Sequence, residues 1–327
     1  MALFLEMGDS NMVNEYEVLL ATCNGQHYIE EQLDSIAAQS VPPVRVIISD
    51  DSSNDNTLSI IQRWISRSTL IVKILPALDS RLGPCKNFER LLLSSSSNYV
   101  MLSDQDDIWD RSKAEELLRL MILSERNYGS DLPILVHSDL RLVDSNGKLI
   151  SKSFFCYQNL DHSKSDFLSV LLQNIVTGCT ILINQQCISD ALPFPSNAQM
   201  HDWWLAIVAS LNGHIVFYPK PTLSYRQHAS NALGALGFSR LIIHNLTIAA
   251  GNYFRFPSYV SSINLLYACS KRFPASHSCF NHDLSKLFSA NAIVRLLMAR
   301  KLSLRKHGRV RTLAFYLSLL FWRPTID

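Results

Sequence analysis

The chain has 327 residues and a formal net charge of +2, and 47% of its residues are hydrophobic. This size suits one large α/β domain with an additional segment, and the near-neutral charge argues against a nucleic-acid-binding protein. The seven cysteines are scattered without a Cys-x-x-Cys pair, so neither a zinc site nor a disulfide framework is indicated, and reduced cytoplasmic thiols are expected.

The first part of the chain alternates between apolar runs, read as strands, and amphipathic segments, read as helices. The predicted strands cover residues 17–22, 44–49, 70–75 and 99–103. The predicted helices that follow them cover about 26–39, 55–67, 83–93 and 111–126. This alternation is typical of a mainly parallel sheet with helices on both faces.

Beyond residue 126 the pattern is less regular. Short strands are predicted at 134–137, 141–143, 180–183, 214–217 and 222–225. Helices are predicted at 163–174 and 202–211, and the periodicity is helical after residue 237. We therefore expect three parts, which are an N-terminal tail (1–15), a main domain (16–235) and a helical, basic C-terminal extension (236–327).

Acidic side chains follow two of the predicted strands. Asp50 and Asp51 come after the second strand, and Asp104, Asp106 and Asp107 come after the fourth. Parallel strands bring their carboxyl ends to one edge of the sheet, which is where open α/β sheets bind ligands. Grouped carboxylates repel one another, and a hard divalent cation with oxygen ligands is the usual compensation. The alternative is a solvated acidic turn that caps the following helix.

Five segments in this order carry a resemblance to a known family. They are 22–25 (TCNG), 49–53 (SDDSS), 103–109 (SDQDDIW), 201–204 (HDWW) and 225–231 (YRQHASN). The first three resemble the inverting family 2 glycosyltransferases of the GT-A fold, and the last two resemble its rhamnosyltransferase-like branch. The resemblance implies a GT-A fold with a mainly parallel central sheet, flanked by helices, over the main domain.

The resemblance also implies roles in donor and metal binding. Asp104 and Asp106 match the DxD motif of the family, which coordinates Mg²⁺ or Mn²⁺ on the diphosphate of the sugar nucleotide. His228 matches a C-terminal histidine that completes the metal site or contacts phosphate. The residues that would contact the nucleotide-diphosphate sugar are Thr22, Asn24, Asp50, Asp51, Asp104, Gln105 and Gly178.

The acceptor side of the predicted site depends on the last two segments. Asp202 matches the catalytic base of the family, which takes the proton of the attacking hydroxyl. Trp203, Trp204 and Arg226 are assigned to the acceptor cleft. The residues themselves allow other interpretations, because Asp202 can cap its own helix, His228 can be a polar loop residue, and both tryptophans can belong to the core.

Two positions depart from the family pattern. Many relatives carry an aromatic residue where Cys23 stands, which puts base stacking in doubt, and many carry glycine where Ser52 stands. The QxxRW motif of the processive synthases is missing, and no apolar segment is long enough to span a bilayer. The sequence therefore favours an enzyme that adds one sugar over a polymerising synthase.

The C-terminal extension is strongly basic. Residues 286–323 contain nine Lys and Arg residues and no acid, and an apolar stretch of eleven residues covers 312–322. Such a stretch can lie in a membrane interface and be held there by anionic lipid. It can equally pack on the main domain and leave a solvated basic face.

The sequence as a whole predicts a metal-dependent inverting glycosyltransferase. It would transfer rhamnose or another deoxyhexose from a dTDP- or UDP-type donor to a glycan or lipid-linked glycan, as in O-antigen synthesis. We expect it in the cytoplasm, with peripheral contact to the inner membrane. The alternatives are a catalytically degenerate scaffold subunit of the same fold and a sugar-1-phosphate nucleotidyltransferase, which needs a glycine-rich basic phosphate loop that residues 22–27 lack.

Overall fold

The computed structural model describes residues 15–196, 198–228, 265, 286–287 and 290–321. The strands in these ranges are β1 (Tyr16–Thr22), β2 (Arg45–Asp50), β3 (Val72–Ile74), β4 (Tyr99–Ser103), β5 (Ile108–Trp109), β6 (Ile134–Asp144), β7 (Leu149–Ser151), β8 (Ile181–Asn184) and β9 (His214–Gln227). They form one sheet in the order β3-β2-β1-β4-β8-β6-β9-β5, and β7 pairs with β6.

The described helices lie between these strands and at the C-terminus. They are α1 (Ile29–Ala37), α2 (Thr57–Ile65), α3 (Pro84–Ser94), α4 (Lys113–Tyr128), α5 (Phe154–Gln158), α6 (Phe167–Leu172), α7 (Gln185–Ala191), α8 (His201–Asn212), α9 (Ala292–Lys301) and α10 (Arg309–Phe321). A 3-10 turn at Gly178–Thr180 precedes β8.

The first half of the sheet is parallel, as the alternating sequence pattern predicted. Strand β1 pairs in parallel with both β2 and β4, and β2 pairs in parallel with β3. Val18, Leu19 and Leu20 are consecutive and fully buried, because helices cover both faces of this part of the sheet. Beyond β4 the sheet becomes mixed, since β8 is antiparallel to both β4 and β6, while β6 and β9 are parallel.

Two long strands replace pairs of short predicted ones. Residues 134–137 and 141–143 both belong to β6, and 214–217 and 222–225 both belong to β9. The two strands pair along their length with register shifts around Asp139, opposite the Pro219 and Pro221 region of β9. Proline cannot donate to the ladder and is tolerated at such irregularities, so the interrupted pattern reflects a bulged strand.

Hydrophobic clusters fill both faces of the sheet. One contains Phe88 of α3, Trp204 of α8 and Phe315 of α10, and the other contains Leu33 of α1 and Leu117 of α4. The short elements α5, α7, β5 and β7 were not predicted, and the helix predicted at 163–174 is reduced to α6. Elements of two to seven residues carry too few apolar positions to show a period.

The C-terminal apolar stretch packs on the main domain. Phe315 and Leu319 of α10 are fully buried, and Arg311 on the same helix donates to the Gln158 carbonyl at 2.8 Å. Arg295 of α9 donates to the Leu319 carbonyl at 2.9 Å and joins the two helices. Of the two arrangements that the sequence allowed for this stretch, α10 adopts the one in which it packs on the main domain. Among the described residues, no helix has the length and apolar character needed to cross a membrane.

Several predictions concern residues outside the described ranges. These are most of the N-terminal tail, the domain boundary near 234–237, residues 229–231 of the last motif, and much of the C-terminal extension.

Candidate active site

The carboxyl ends of three parallel strands form one edge of the sheet. Strand β1 ends at Thr22, with the end of β2 on one side and the end of β4 on the other. The Asp51 amide donates to the Thr22 carbonyl at 2.8 Å and continues the ladder past β2. The acidic groups at 50–51 and 104–107 therefore flank the end of β1, as the sequence predicted.

Gln105 fixes the end of β1. Its Oε1 accepts hydrogen bonds from the Thr22 hydroxyl at 2.6 Å and from the Cys23 amide at 2.7 Å, and its Nε2 donates to the Cys23 carbonyl at 2.9 Å. A Cβ on Gly25 would overlap the Gln105 amide, which explains the glycine. The Gln105 amide thus holds protein backbone at the position where the resemblance implies donor contact.

The carboxylates after β2 are also bonded to the protein. Asp51 accepts from the Leu82 amide at 2.6 Å and from the Gly83 amide at 2.9 Å, directly before α3. Asp50 accepts from the amide of Ser53 at 2.8 Å and from its hydroxyl at 2.6 Å. These bonds fix the loops that frame the end of β1.

Two residues of this edge adopt the left-handed backbone conformation. Asn24 has a φ of 54° and Ser52 a φ of 57°. The Asn24 side chain accepts from the Asn54 amide at 2.9 Å and joins the two turns. The turn at Ser52 thus keeps a conformation that glycine favours, so the departure from glycine does not remove the turn.

Asp104, Asp106 and Asp107 form the acidic cluster after β4, and one of them, Asp106, pairs with His228. Asp106 Oδ2 lies 2.7 Å from His228 Nε2, and the His228 ring stacks on Tyr28 with a centroid distance of 5.0 Å. Asp104 as a residue is partly exposed, but its carboxylate is surrounded by protein. This burial, together with the charges of Asp106 and Asp202, raises the pKa of Asp104 to about 7.

Asp107 is the most deeply buried of the three carboxylates. Its two carboxylate oxygens are buried and receive no hydrogen bond from an N–H or O–H group of the described chain. The nearby Cys179 thiol is a weak donor to it. Burial and the charges of Asp106 and Asp104 hold the pKa of Asp107 well above its usual range.

Lys113 is a buried cation that sequence reasoning missed. Its Nζ donates to the Cys179 carbonyl at 2.6 Å and lies 3.4 Å from the centroid of the Trp109 ring. Burial lowers the pKa of Lys113, while the charges of Asp107 and Asp104 oppose this shift. A lysine in the first turn of an amphipathic helix usually points to solvent, so no sequence signal marked it.

Asp202 lies in the first turn of α8. Its Oδ1 accepts from the Trp203 amide at 2.6 Å, and its carboxylate also accepts from the Gly178 amide and the Asn174 side chain. Burial raises the pKa of Asp202 to about 6. Because its charge raises the pKa of Asp104, Asp202 lies within electrostatic reach of the acidic cluster.

Residues 17–137 match the sequence profile of the family described as Glycosyl transferase family 2. The chain is 29% identical over 290 residues to dTDP-rhamnosyl transferase RfbG of Shigella flexneri. The aligned region covers 85% of this chain and 92% of that protein. The chain is a glycosyltransferase whose residues 17–137 form a family 2 domain. A second relative of this glycosyltransferase is the Escherichia coli UDP-Glc:alpha-D-GlcNAc-diphosphoundecaprenol beta-1,3-glucosyltransferase WfgD, at 21% identity over 60% of this chain and 70% of that protein.

Solved structures confirm the GT-A fold of the glycosyltransferase. Staphylococcus aureus TarS 1–349 in complex with UDP superposes with a TM-score of 0.53 at 16% identity, covering 94% of this chain and 90% of that one. The mannosyltransferase PcManGT from Pyrobaculum calidifontis, in complex with GDP-Man and Mn²⁺, superposes with a TM-score of 0.51 at 17% identity, covering 94% and 85%.

The carboxylates of the acidic cluster fit a hard divalent cation. Ligand atoms of Asp104, Asp107 and Cys179 lie within 4.8 Å of one another, and of these the two carboxylates suit such a cation, whereas the Cys179 thiol does not. The predicted ligands Asp106 and His228 lie 2.7 Å apart and are not part of this group of three. The Asp107 oxygens have no N–H or O–H donor among the described residues, so the charge of this carboxylate is not fully compensated. A cation with oxygen ligands would compensate this charge.

Two residues predicted for the acceptor cleft of the glycosyltransferase lie inside the protein. Trp204 is fully buried and donates to the Ala191 carbonyl at 2.9 Å, so it belongs to the core. Arg226 is 5% exposed, and its bond to Glu31 at 2.6 Å joins β9 to α1. We therefore correct both assignments. Trp203 is partly exposed, and its indole donates to the Val170 carbonyl at 2.7 Å.

Proposed function

We propose that this enzyme is a metal-dependent inverting glycosyltransferase that transfers rhamnose or another deoxyhexose from a dTDP- or UDP-linked donor. One observation carries the proposal, which is the contact between Asp106 and His228 in the acidic cluster, with Asp202 near enough for its charge to act on Asp104. The Shigella flexneri relative, which is named as a dTDP-rhamnosyl transferase, supports the choice of sugar and nucleotide.

The donor would lie across the carboxyl edge of the sheet. Its base and ribose would contact the ends of β1 and β2, where Thr22, Asn24, Asp50 and Asp51 shape the surface. Its diphosphate would lie at the acidic cluster. Asp104, Asp106 and His228 would hold Mg²⁺ or Mn²⁺, and the bound metal would neutralise the charge that develops on the departing diphosphate.

Asp202 would act as the general base toward the acceptor hydroxyl. A carboxylate with a pKa of about 6 is largely ionised at neutral pH and is still basic enough to accept the proton as the hydroxyl attacks. Attack on the face opposite the diphosphate, in a single displacement through an oxocarbenium-like state, inverts the anomeric centre.

The exposed face of α9 supports a membrane-bound acceptor. Ile293 is 72% and Leu297 is 61% exposed, and the exposed Arg300 and Lys301 follow one turn later. An apolar helix face beside cations fits the surface of an anionic bilayer. We therefore propose peripheral contact with the cytoplasmic face of the inner membrane and a glycan or lipid-linked glycan acceptor in polysaccharide synthesis.

Vesicle flotation tests the membrane part of the proposal. The protein should float with vesicles that contain phosphatidylglycerol and not with pure phosphatidylcholine. The double variant Ile293→Gln, Leu297→Gln should lose binding, while Ile71→Gln, at an equally exposed position on the far edge of the sheet, should keep it. Equal flotation of all three proteins would contradict the proposed contact.

A sugar-nucleotide screen tests the catalytic part. With each donor, release of the nucleoside diphosphate is measured with Mn²⁺, with Mg²⁺ and with EDTA. We expect activity with a dTDP- or UDP-deoxyhexose and a metal only. Asp104→Ala and Asp106→Ala should lose turnover and metal-dependent nucleotide binding, whereas Asp202→Asn should bind the donor and lose transfer. Transfer by Asp202→Asn would remove this residue from the role of base.

A further inference from the structure

The carboxylate of Asp202 is held by two parts of the chain. The Trp203 amide belongs to the same helix, α8. The Gly178 amide and the Asn174 side chain come from the 174–178 loop, which precedes β8. An acceptor hydroxyl must use a lone pair of Asp202 that these donors leave open, so the loop determines where that lone pair points.

The Asn174 amide is itself oriented by the loop. Its Oδ1 accepts from the Val176 amide at 2.9 Å. The Nδ2 group is thereby left to donate, and its acceptor is the Asp202 carboxylate. A side chain with its acceptor and its donor both engaged has a fixed direction.

The His201 ring supports the same loop from behind. The ring is buried and stacks on Phe88 with a centroid distance of 3.8 Å, and neither ring nitrogen has a hydrogen-bond partner among the described residues. A Cβ on Gly178 would lie 2.5 Å from His201 Nε2. Gly178 does not adopt the left-handed conformation, so the close approach to this ring accounts for the glycine.

An unpaired imidazole in this position is unfavourable and needs an explanation. Burial lowers the pKa of His201 to about 3, so the ring is neutral near physiological pH. Phe88 stacks on the face of the ring and Gly178 lies against its Nε2 edge, so the ring separates α3 from the 174–178 loop as a spacer.

We propose that Asn174 and His201 are positioning residues for Asp202, Asn174 through its direct hydrogen bond and His201 by fixing the Gly178 amide. The inference rests on the proposed function, because it takes Asp202 as the base. The other titratable groups that face Asp202 are Asp104 and the Cys85 thiol on α3. Against the charge of Asp104, the two loop donors stabilise the ionised form of Asp202.

The pH dependence of kcat separates positioning from simple packing. It is measured between pH 5 and 8.5 as release of dTDP from saturating dTDP-rhamnose in the presence of Mn²⁺. Asn174→Ala removes one donor to a charged acceptor, which should move the acid limb of kcat up by about one pH unit and leave the donor KM unchanged. A uniform loss of kcat at every pH, with the limb unmoved, would overturn the proposal for Asn174.

His201 has a matched pair of variants. His201→Phe keeps a ring on Phe88 and against Gly178, so its acid limb should stay within about 0.3 pH units of the natural enzyme. His201→Ala lets the loop move, so its limb should shift upward as in Asn174→Ala. If His201→Phe shifts as far as His201→Ala, the ring nitrogens are required and the spacer role is wrong.

Gly178 supplies a second, independent test. Gly178→Ala should lower kcat because the new methyl group meets the His201 ring, and the double variant Gly178→Ala, His201→Ala should recover part of that loss. A double variant worse than both singles would contradict the contact. Thermal unfolding confirms that each variant is folded.

The variant Asp202→Asn distinguishes failure of the proposed function from failure of the positioning inference. If Asp202→Asn retains transfer, the proposed function fails. If Asp202→Asn is inactive while the acid limb of Asn174→Ala does not move, only this inference fails.

Discussion

Binding of Mn²⁺ should weaken steeply as the pH falls below 7. The reason is Asp104, whose pKa is raised to about 7 by burial and by the neighbouring charges of Asp106 and Asp202. A metal ligand must be deprotonated, so protons compete with the cation at this carboxylate. Because the pKa is raised, the competing protonated form is present below pH 7 and disappears above it.

The size of the effect follows from the fraction of ionised Asp104. With a pKa of about 7, roughly nine tenths of this carboxylate is ionised at pH 8 and roughly one tenth at pH 6. The Mn²⁺ affinity should therefore fall about tenfold between pH 8 and pH 6, which corresponds to about 1.4 kcal/mol. An ordinary aspartate would be ionised at both values and would give no change.

Isothermal titration with Mn²⁺ and dTDP at pH 8, 7 and 6 measures this directly. At pH 6 the binding of Mn²⁺ releases the proton of Asp104 to the buffer, so the measured binding enthalpy depends on the ionisation enthalpy of the buffer. Equal affinities at pH 8 and pH 6 would refute the environment assigned to Asp104. The variant Lys113→Met provides a second test. The Lys113 charge lowers the pKa of Asp104, so its loss should raise the pH at which Mn²⁺ binding is half lost.

Three further substitutions test the structure around the site. Gly25→Ala should displace Gln105 from the end of β1 and lower the free energy of unfolding by about 1–3 kcal/mol. It should also weaken donor binding in a fluorescence titration, and unchanged binding would contradict the role of Gln105 in holding the end of β1. Asp51→Ala leaves two backbone amides before α3 unpaired and should cost about 2–3 kcal/mol in urea unfolding. Trp204→Ala should cost about 3–5 kcal/mol, and a value near zero would contradict its place in the core.

The parallel half of the sheet could be predicted from the sequence. β1, β2 and β4 are apolar runs of five to seven residues, each ending at a polar residue, and the predicted ranges agree with the structure to within one residue. Burial on both faces makes such strands uniformly apolar, which is a strong local signal. Strands β6 and β9 were divided because their register shifts and the prolines of β9 interrupt the pattern.

The candidate site was predicted in outline and not in detail. Motif order was enough to single out Asp104, Asp106, Asp202 and His228, and the structure brings Asp106 into contact with His228, while the roles of all four stay predictions. The partners of Gln105, in contrast, depend on contacts between residues about 80 positions apart. No pattern along the chain shows which polar side chains bind ligands and which bind backbone.

Burial of charged residues was the hardest feature to predict. Lys113 and Arg226 belong to types that are mostly exposed, and the sequence offers no reason to place them inside. Their positions follow from packing, since Arg226 links β9 to α1 and Lys113 reaches the Cys179 carbonyl beneath the acidic cluster. The positioning of Asp202 by Asn174 is equally a property of the folded chain.

The most direct test of the account is a crystal structure with Mn²⁺ and dTDP, collected at a wavelength where manganese scatters anomalously. We expect one anomalous peak in contact with the diphosphate and with the carboxylates of Asp104 and Asp106, on the side of the cluster that faces Asp202. Bound dTDP with no manganese peak at these carboxylates, or with the diphosphate on another surface of the protein, would contradict it.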